Sequence, residues 1–166
     1  SSLEITKSHI HACNDTMWQG IYVIDNSIDI TGSIIEDAIE AVVMSPDIFT
    51  SRYLIYSNYF KNNIYSLICN SPTDNTSTFT SNHIANPAHL KINPAGVDSS
   101  FTGIYIDNVY NLTIGGTASP SSKNYFEDLQ YGIVAIRSVI EVYNNHFENI
   151  HLNHSNAINP NYNVAL

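Results

Sequence analysis

The chain has 166 residues, 43% of them hydrophobic, which suffices for one domain with its own core. Only 6 Lys and Arg stand against 15 Asp and Glu, a net charge of -9, so nucleic acid is excluded as an expected partner. No run approaches the length of a membrane span, and the chain does not open on a leader pattern, which a mature secreted protein would lack as well.

In chain order, one short pattern occurs six times. It reads Ser8-His9-Ile10-His11-Ala12, Ser33-Ile34-Ile35-Glu36-Asp37, Asn58-Tyr59-Phe60-Lys61-Asn62, Asn82-His83-Ile84-Ala85-Asn86, Asn124-Tyr125-Phe126-Glu127-Asp128 and Asn145-His146-Phe147-Glu148-Asn149. The steps between first positions are 25, 25, 24, 42 and 21 residues. A recurring period of this size marks a solenoid, in which each unit buries its apolar face only by stacking on its neighbours.

The flanks repeat as well. An alternating tripeptide begins five residues before the Ser or Asn at Leu3-Glu4-Ile5, Ile28-Asp29-Ile30, Tyr53-Leu54-Ile55 and Ile140-Glu141-Val142. Such alternation predicts a strand with one buried face. Eight residues after the Ser or Asn come a small residue and aliphatics, at Ala41-Val42-Val43, Ser66-Leu67-Ile68 and Gly132-Ile133-Val134. Gly20-Ile21-Tyr22, Gly103-Ile104-Tyr105 and Ala157-Ile158 read as the same element after longer loops. Each unit thus holds two or three short strands joined by corners rich in Asn, Gly and Ser, residues that accept left-handed backbone. No segment carries a sustained helical period, so helices are at most short.

Short strands without helices predict an all-β chain, a right-handed parallel β-helix of about six coils. Residues 1–166 form a single domain in this reading, a piece of a longer solenoid without caps. Equivalent residues then stack at about 4.8 Å into columns along the axis. The column Ser8, Ser33, Asn58, Asn82, Asn124, Asn145 becomes a polar ladder at an inward corner, its amides bonded to the copies above and below. The column Ile10, Ile35, Phe60, Ile84, Phe126, Phe147 becomes the inner apolar stack.

On these residues the chain resembles the right-handed parallel β-helix superfamily, whose coils often carry an Asn-x-Phe-x-Asn element. The resemblance covers nearly the whole chain and concerns fold. The superfamily holds pectate-lyase-like enzymes, polygalacturonase-like hydrolases, epimerases, phage tailspikes and adhesins. The grouped Asp residues of the hydrolases and the Arg/Lys and calcium-binding Asp cluster of the lyases are not recognisable here.

Two insertions, 87–100 and 117–123, account for the 42-residue step, and 72–76 is a shorter excursion; such loops wall substrate grooves in β-helix enzymes. Cys13 aligns with Ala38, Leu129 and Ile150 and reads as a small buried residue. His9-x-His11-x-Cys13 has zinc-compatible spacing, but that alignment breaks the alternation at Cys13, so no metal site is expected.

Any chemistry belongs on the outward columns. One row is His9, Ile34, Tyr59, His83, Tyr125, His146; beside it runs His11, Glu36, Lys61, Ala85, Glu127, Glu148. Aromatic platforms beside carboxylates suit sugars, so Tyr59, Tyr125, Glu127, His146 and Glu148 are the candidate substrate-binding residues. Glu127 and Glu148 fall on neighbouring coils at a backbone spacing of about 5 Å, near that of retaining glycosidase carboxylates. Catalytic residues are not assigned, and no cofactor is indicated; calcium would enter only as a bridge to an acidic sugar.

Two functions fit. One is a secreted or cell-surface protein that binds or processes polysaccharide. The other is a non-enzymatic structural or adhesin-like solenoid, or secreted cargo, whose uncapped ends meet protein partners.

Overall fold

Alternating apolar residues in runs of three to six, each followed by a residue that turns the backbone, wind this chain into a parallel β-solenoid. The structure, a computed structural model, describes residues 2–24, 27–45, 52–70, 77–87, 91, 101–117 and 122–150. The first coil holds β1 (Ser2–Thr6), β2 (His9–Ile10) and β3 (Ile21–Val23). The second holds β4 (Ser27–Thr31), β5 (Ile34–Glu36) and β6 (Glu40–Met44), and the third β7 (Tyr53–Tyr56), β8 (Tyr59–Lys61) and β9 (Tyr65–Cys69). The fourth holds β10 (Thr78–Thr80), β11 (His83–Ala85) and β12 (Thr102–Asp107), and the fifth β13 (Tyr110–Gly115), β14 (Tyr125–Glu127) and β15 (Tyr131–Ile136). A sixth begins with β16 (Val139–Tyr143) and β17 (His146–Glu148).

Three parallel sheets result. Sheet A runs β1-β4-β7-β10-β13-β16, sheet B runs β2-β5-β8-β11-β14-β17, and sheet C runs β3-β6-β9-β12-β15. Sequence repeats give about six coils; the described residues complete five, because sheet C has one strand fewer. The expected strand at Ala157-Ile158 lies outside the described residues. Among the described residues no helix is long and apolar enough to cross a membrane.

Left-handed residues make the corners. Between sheets A and B they are Lys7, Gly32, Ser57, Ser81, Gly115 and Asn144; between B and C, Asp37, Asn62 and Asp128, with Asn149 at the equivalent place after β17; between C and A, Asn108 and Arg137. One such residue redirects the strand where L-residues otherwise stay extended, and Asn and Asp tolerate the conformation best. Hence the repeat ends in a left-handed Asn or Asp at Asp37, Asn62, Asp128 and Asn149, whereas Ala12 and Asn86 end their copies without that conformation.

Next to the first corner stands the polar ladder. Ser8 N–H donates to Ser33 Oγ (3.1 Å), Ser33 N–H to Asn58 Oδ1 (2.9 Å), Asn58 N–H to Asn82 Oδ1 (3.0 Å) and Asn82 N–H to Asn124 Oδ1 (2.9 Å). Each Asn amide also donates to a sheet A carbonyl one coil earlier: Asn58 to Ile30, Asn82 to Ile55, Asn124 to Phe79 and Asn145 to Ile114. Both ends of the side chain are used, so burying Asn58, Asn82 and Asn124 leaves no polar group unmet. A shorter copy stands at the next corner, where Ala38 N–H donates to Asn63 Oδ1 (2.9 Å) and Asn63 Nδ2 to the Ile35 carbonyl (2.9 Å).

Inside, Ile35, Phe60, Ile84 and Phe126 form a fully buried column, with Ile28, Ile30, Ile55 and Phe79 beside it from sheet A. Each buried side chain of this size stabilises the fold by about 1.5–3 kcal/mol. The small residue that opens the sheet C element has a steric reason. A Cβ on Gly103 would lie 2.8 Å from the Phe126 ring, and one on Gly132 would lie 2.7 Å from the Phe147 ring. A missing side chain in one coil thus seats the phenyl ring of the next. Phe147 stacks on Phe126 (centroids 4.8 Å apart, planes at 12°) but is 47% exposed.

The alignment that buries Cys13 fails. Cys13 is exposed, and the first-coil residue that pairs with Ala38 is Trp18, five positions later in the chain; Cys69 is the buried cysteine, and neither forms a disulfide.

Candidate functional site

Sheet B brings all five sequence candidates onto one outward face. Its register aligns His9, Ile34, Tyr59, His83, Tyr125 and His146 in one row, and Glu36, Lys61, Ala85, Glu127 and Glu148 in the next. The inward Ile or Phe between the two rows holds each strand in register, since a one-residue slip would exchange core and solvent faces.

Four rings from four successive coils make a continuous row. Tyr59 and His83 stack at 4.7 Å with planes 19° apart; His83 and Tyr125 meet edge-on at 6.2 Å, and Tyr125 and His146 tilt together at 5.5 Å. This corrects the platform picture in one respect. Tyr59 and His83 cover a face of each other, so neither presents two free ring faces to solvent. Tyr125 is turned from both neighbours, and the Lys123 ammonium lies 5.2 Å from its centroid. Burial pushes the Tyr59 phenol above its ordinary range, so it stays a neutral donor and acceptor.

The carboxylates are paired. Glu127 Oε2 lies 2.9 Å from His83 Nε2, and Glu148 Oε2 lies 3.3 Å from His146 Nε2 on its own strand. Glu127 and Glu148 are direct register partners, as the glycosidase-like spacing requires. Each nonetheless engages its own imidazole, so neither is poised as a free nucleophile beside an acid. Ala85, outward but buried, leaves room for His83 to reach Glu127 across it.

Residues outside the candidate set extend the pattern toward the first coil. Glu36 accepts from Lys61 Nζ at 2.8 Å and meets His9 Nε2 at 3.0 Å. Burial alone would push the Glu36 carboxyl up; the hydrogen bonds from Lys61 and His9 outweigh it and hold the group below its ordinary range. The bond to Glu36 raises Lys61 in turn, against its own partial burial. His9 and His11 rings sit 4.8 Å apart, and Trp18 Nε1 donates to the Glu36 carbonyl at 2.8 Å. His83, His9, Glu36 and Lys61 are all legible in the sequence rows, but nothing in a lone row tells which members pair across coils.

His9, His11 and Cys13 do not assemble as metal ligands. His9 turns to Glu36 and His11 Nδ1 to the Ala12 carbonyl, and among the described residues no group of three His, Cys, Asp or Glu could hold a metal ion.

The two long insertions adjoin sheet B at different corners: residues 86–101 join β11 of sheet B to β12 of sheet C, and residues 116–124 join β13 of sheet A to β14 of sheet B. Most of 87–100 and 117–123 lies outside the described residues, and so does the 72–76 excursion. Lys91, from the first insertion, donates to the Ala12 carbonyl (3.1 Å) and pairs with the Asp37 carboxylate (2.9 Å), which anchors that residue beside the first two coils.

No protein-family model, curated protein or solved structure matches this chain. The fold defines its class: a parallel β-solenoid with a buried Asn/Ser ladder.

Proposed function

We propose that this chain is a secreted or cell-surface solenoid that binds polysaccharide through the outer face of sheet B, without cleaving it. The observation that carries the reading is the row Tyr59–His83–Tyr125–His146 beside Glu127 and Glu148, repeated at the rung spacing of the sheet. A linear glycan is itself a repeat, so successive rungs of rings can meet successive sugars. Pairing of both carboxylates with imidazoles supports binding over hydrolysis, which needs one free acid and one free base or nucleophile. An active β-helix of the pectate-lyase-like superfamily is a finer reading that the paired carboxylates do not favour.

The test is titration with neutral and acidic oligosaccharides, comparing the parent with Tyr125→Ala. Binding that weakens about tenfold or more in the variant supports the reading. Binding that is absent, or unaffected by the substitution, favours the second reading: a structural or adhesin-like solenoid whose surface pairs serve only to hold adjacent coils.

A further inference from the structure

We infer that Asn14 is an acceptor for a covalently attached, N-linked oligosaccharide. The inference rests on the reading of the chain as secreted, because such transfer occurs on an export route, and it does not involve the sheet B face. Asn-x-Ser/Thr triplets begin at Asn14, Asn75, Asn111 and Asn153, and a triplet of this kind serves as an acceptor on an accessible surface segment. Asn75 and Asn153 lie outside the described residues. Asn14-Asp15-Thr16 lies in the 11–20 connection between β2 and β3. Asn14 is exposed, as are Cys13 and Asp15 on either side of it. Thr16 N–H donates to Asn14 Oδ1 at 3.0 Å, an Asx turn that holds the carboxamide by its oxygen and brings it to the residue two positions on. Among the described residues no hydrogen bond engages Asn14 Nδ2 or Thr16 Oγ1, so both the reacting nitrogen and the hydroxyl that defines the triplet are available to an enzyme.

Asn111-Leu112-Thr113 is the internal contrast. Asn111 is exposed too, at a bulge in β13 with φ 67°. Its strand, however, lies between β10 and β16 in sheet A. Thr113 N–H donates to the Ser77 carbonyl (3.2 Å) and its hydroxyl to Glu141 Oε2 (3.5 Å). Both groups are engaged by neighbouring coils, so this triplet is closed once the solenoid has wound. At Asn14 the transfer joins Nδ2 to the anomeric carbon of an oligosaccharide carried on a lipid diphosphate. The bond from that carbon to the diphosphate oxygen breaks, the lipid diphosphate leaves with the electron pair, and Nδ2 gives up one proton to a base of the transferring enzyme. The product places a bulky, hydrated chain at the sheet B–C corner of the first coil.

The test offers the whole folded chain to a purified single-subunit eukaryotic oligosaccharyltransferase with a lipid-diphosphate-linked high-mannose oligosaccharide. Free peptides carrying the Asn14 and Asn111 triplets run beside it, and peptide mass spectrometry after endoglycosidase release in heavy-oxygen water maps each modified Asn. Asn14 in the folded chain should react within about tenfold of its own peptide, whereas Asn111 should fall more than about tenfold below its peptide, since its strand must first open. Asn14→Gln and Thr16→Ala should abolish modification at this position, and Thr16→Ser should retain it. Retained far-ultraviolet dichroism in each variant separates these effects from misfolding. A folded chain left unmodified at Asn14, or modified there after Thr16→Ala, overturns the inference; so does equal modification of Asn14 and Asn111. Each of these failures leaves the polysaccharide reading standing, because that reading is tested on the unmodified chain, and a failed oligosaccharide titration leaves the Asn14 result untouched.

Discussion

Asn82 and Asn124 are 42 residues apart in the chain and one rung apart in space: Asn124 Oδ1 accepts from both the backbone N–H of Asn82 (2.9 Å) and its amide (3.3 Å). Two insertions separate them, yet the ladder continues through this step with the geometry of the 24-residue step before it. The corner bond, rather than the length of the coil, sets the register of successive turns.

Asn82→Ala removes the acceptor for Asn58 N–H and the donor to the Ile55 carbonyl at a fully buried site. Stranded buried groups cost about 1–3 kcal/mol each, so a total loss of about 3 kcal/mol is expected in urea denaturation. Asn82→Ser should cost less, because Ser33 fills the equivalent rung position and accepts Ser8 N–H through its hydroxyl. Equal losses for Ala and Ser would contradict the ladder's role.

Phe126→Ala empties a fully buried site between two coils and should cost about 3–5 kcal/mol. Glu127→Ala removes a half-exposed pair with His83 and should cost no more than about 1 kcal/mol. Gly103→Ala drives a methyl group against the Gly132 carbonyl at 2.5 Å and the Phe126 ring at 2.8 Å, and overpacking of this kind costs about 1–3 kcal/mol. Melting temperatures in the order parent, Glu127→Ala, Gly103→Ala, Phe126→Ala are expected.

Glu36 carries the pH prediction. Its carboxyl is held below the ordinary range in the folded chain, so its contribution to stability is fully present above the ordinary carboxylate range. That contribution disappears as pH falls through the depressed folded value. The parent should exceed Glu36→Gln in stability by about 1 kcal/mol near neutral pH and match it in strong acid. A stability difference that persists unchanged into strong acid would contradict the pairing with Lys61 and His9.

Much of the fold is visible in the sequence because a solenoid writes each column as a repeat. The ladder, the inner stack and the outward rows all follow from one motif, and the register confirms them. Two strands escape notice for physical reasons. In β10, Thr78-Phe79-Thr80 has a single inward apolar residue and no flanking aliphatics. In β13, the usual spacing to the motif is broken by the insertion before β14, and a bulge between Tyr110 and Leu112 shifts the register. Cys13 misleads because sequence alignment within a corner cannot tell where the chain leaves the coil path. On the candidate face, the rows are legible, while the pairing of His83 with Glu127 and the mutual stacking of Tyr59 and His83 depend on side-chain rotamers that no period encodes.

Resonance-by-resonance mapping tests glycan binding at the outer face of sheet B most directly. With the imidazole and tyrosine ring signals followed by NMR during titration with each oligosaccharide of the neutral and acidic panel, shifts should concentrate at Tyr59, His83, Tyr125 and His146. Tyr22 and Tyr105, on the outer face of sheet C, should stay unmoved. Shifts concentrated at Tyr22 and Tyr105, or no shifts at all, would contradict it.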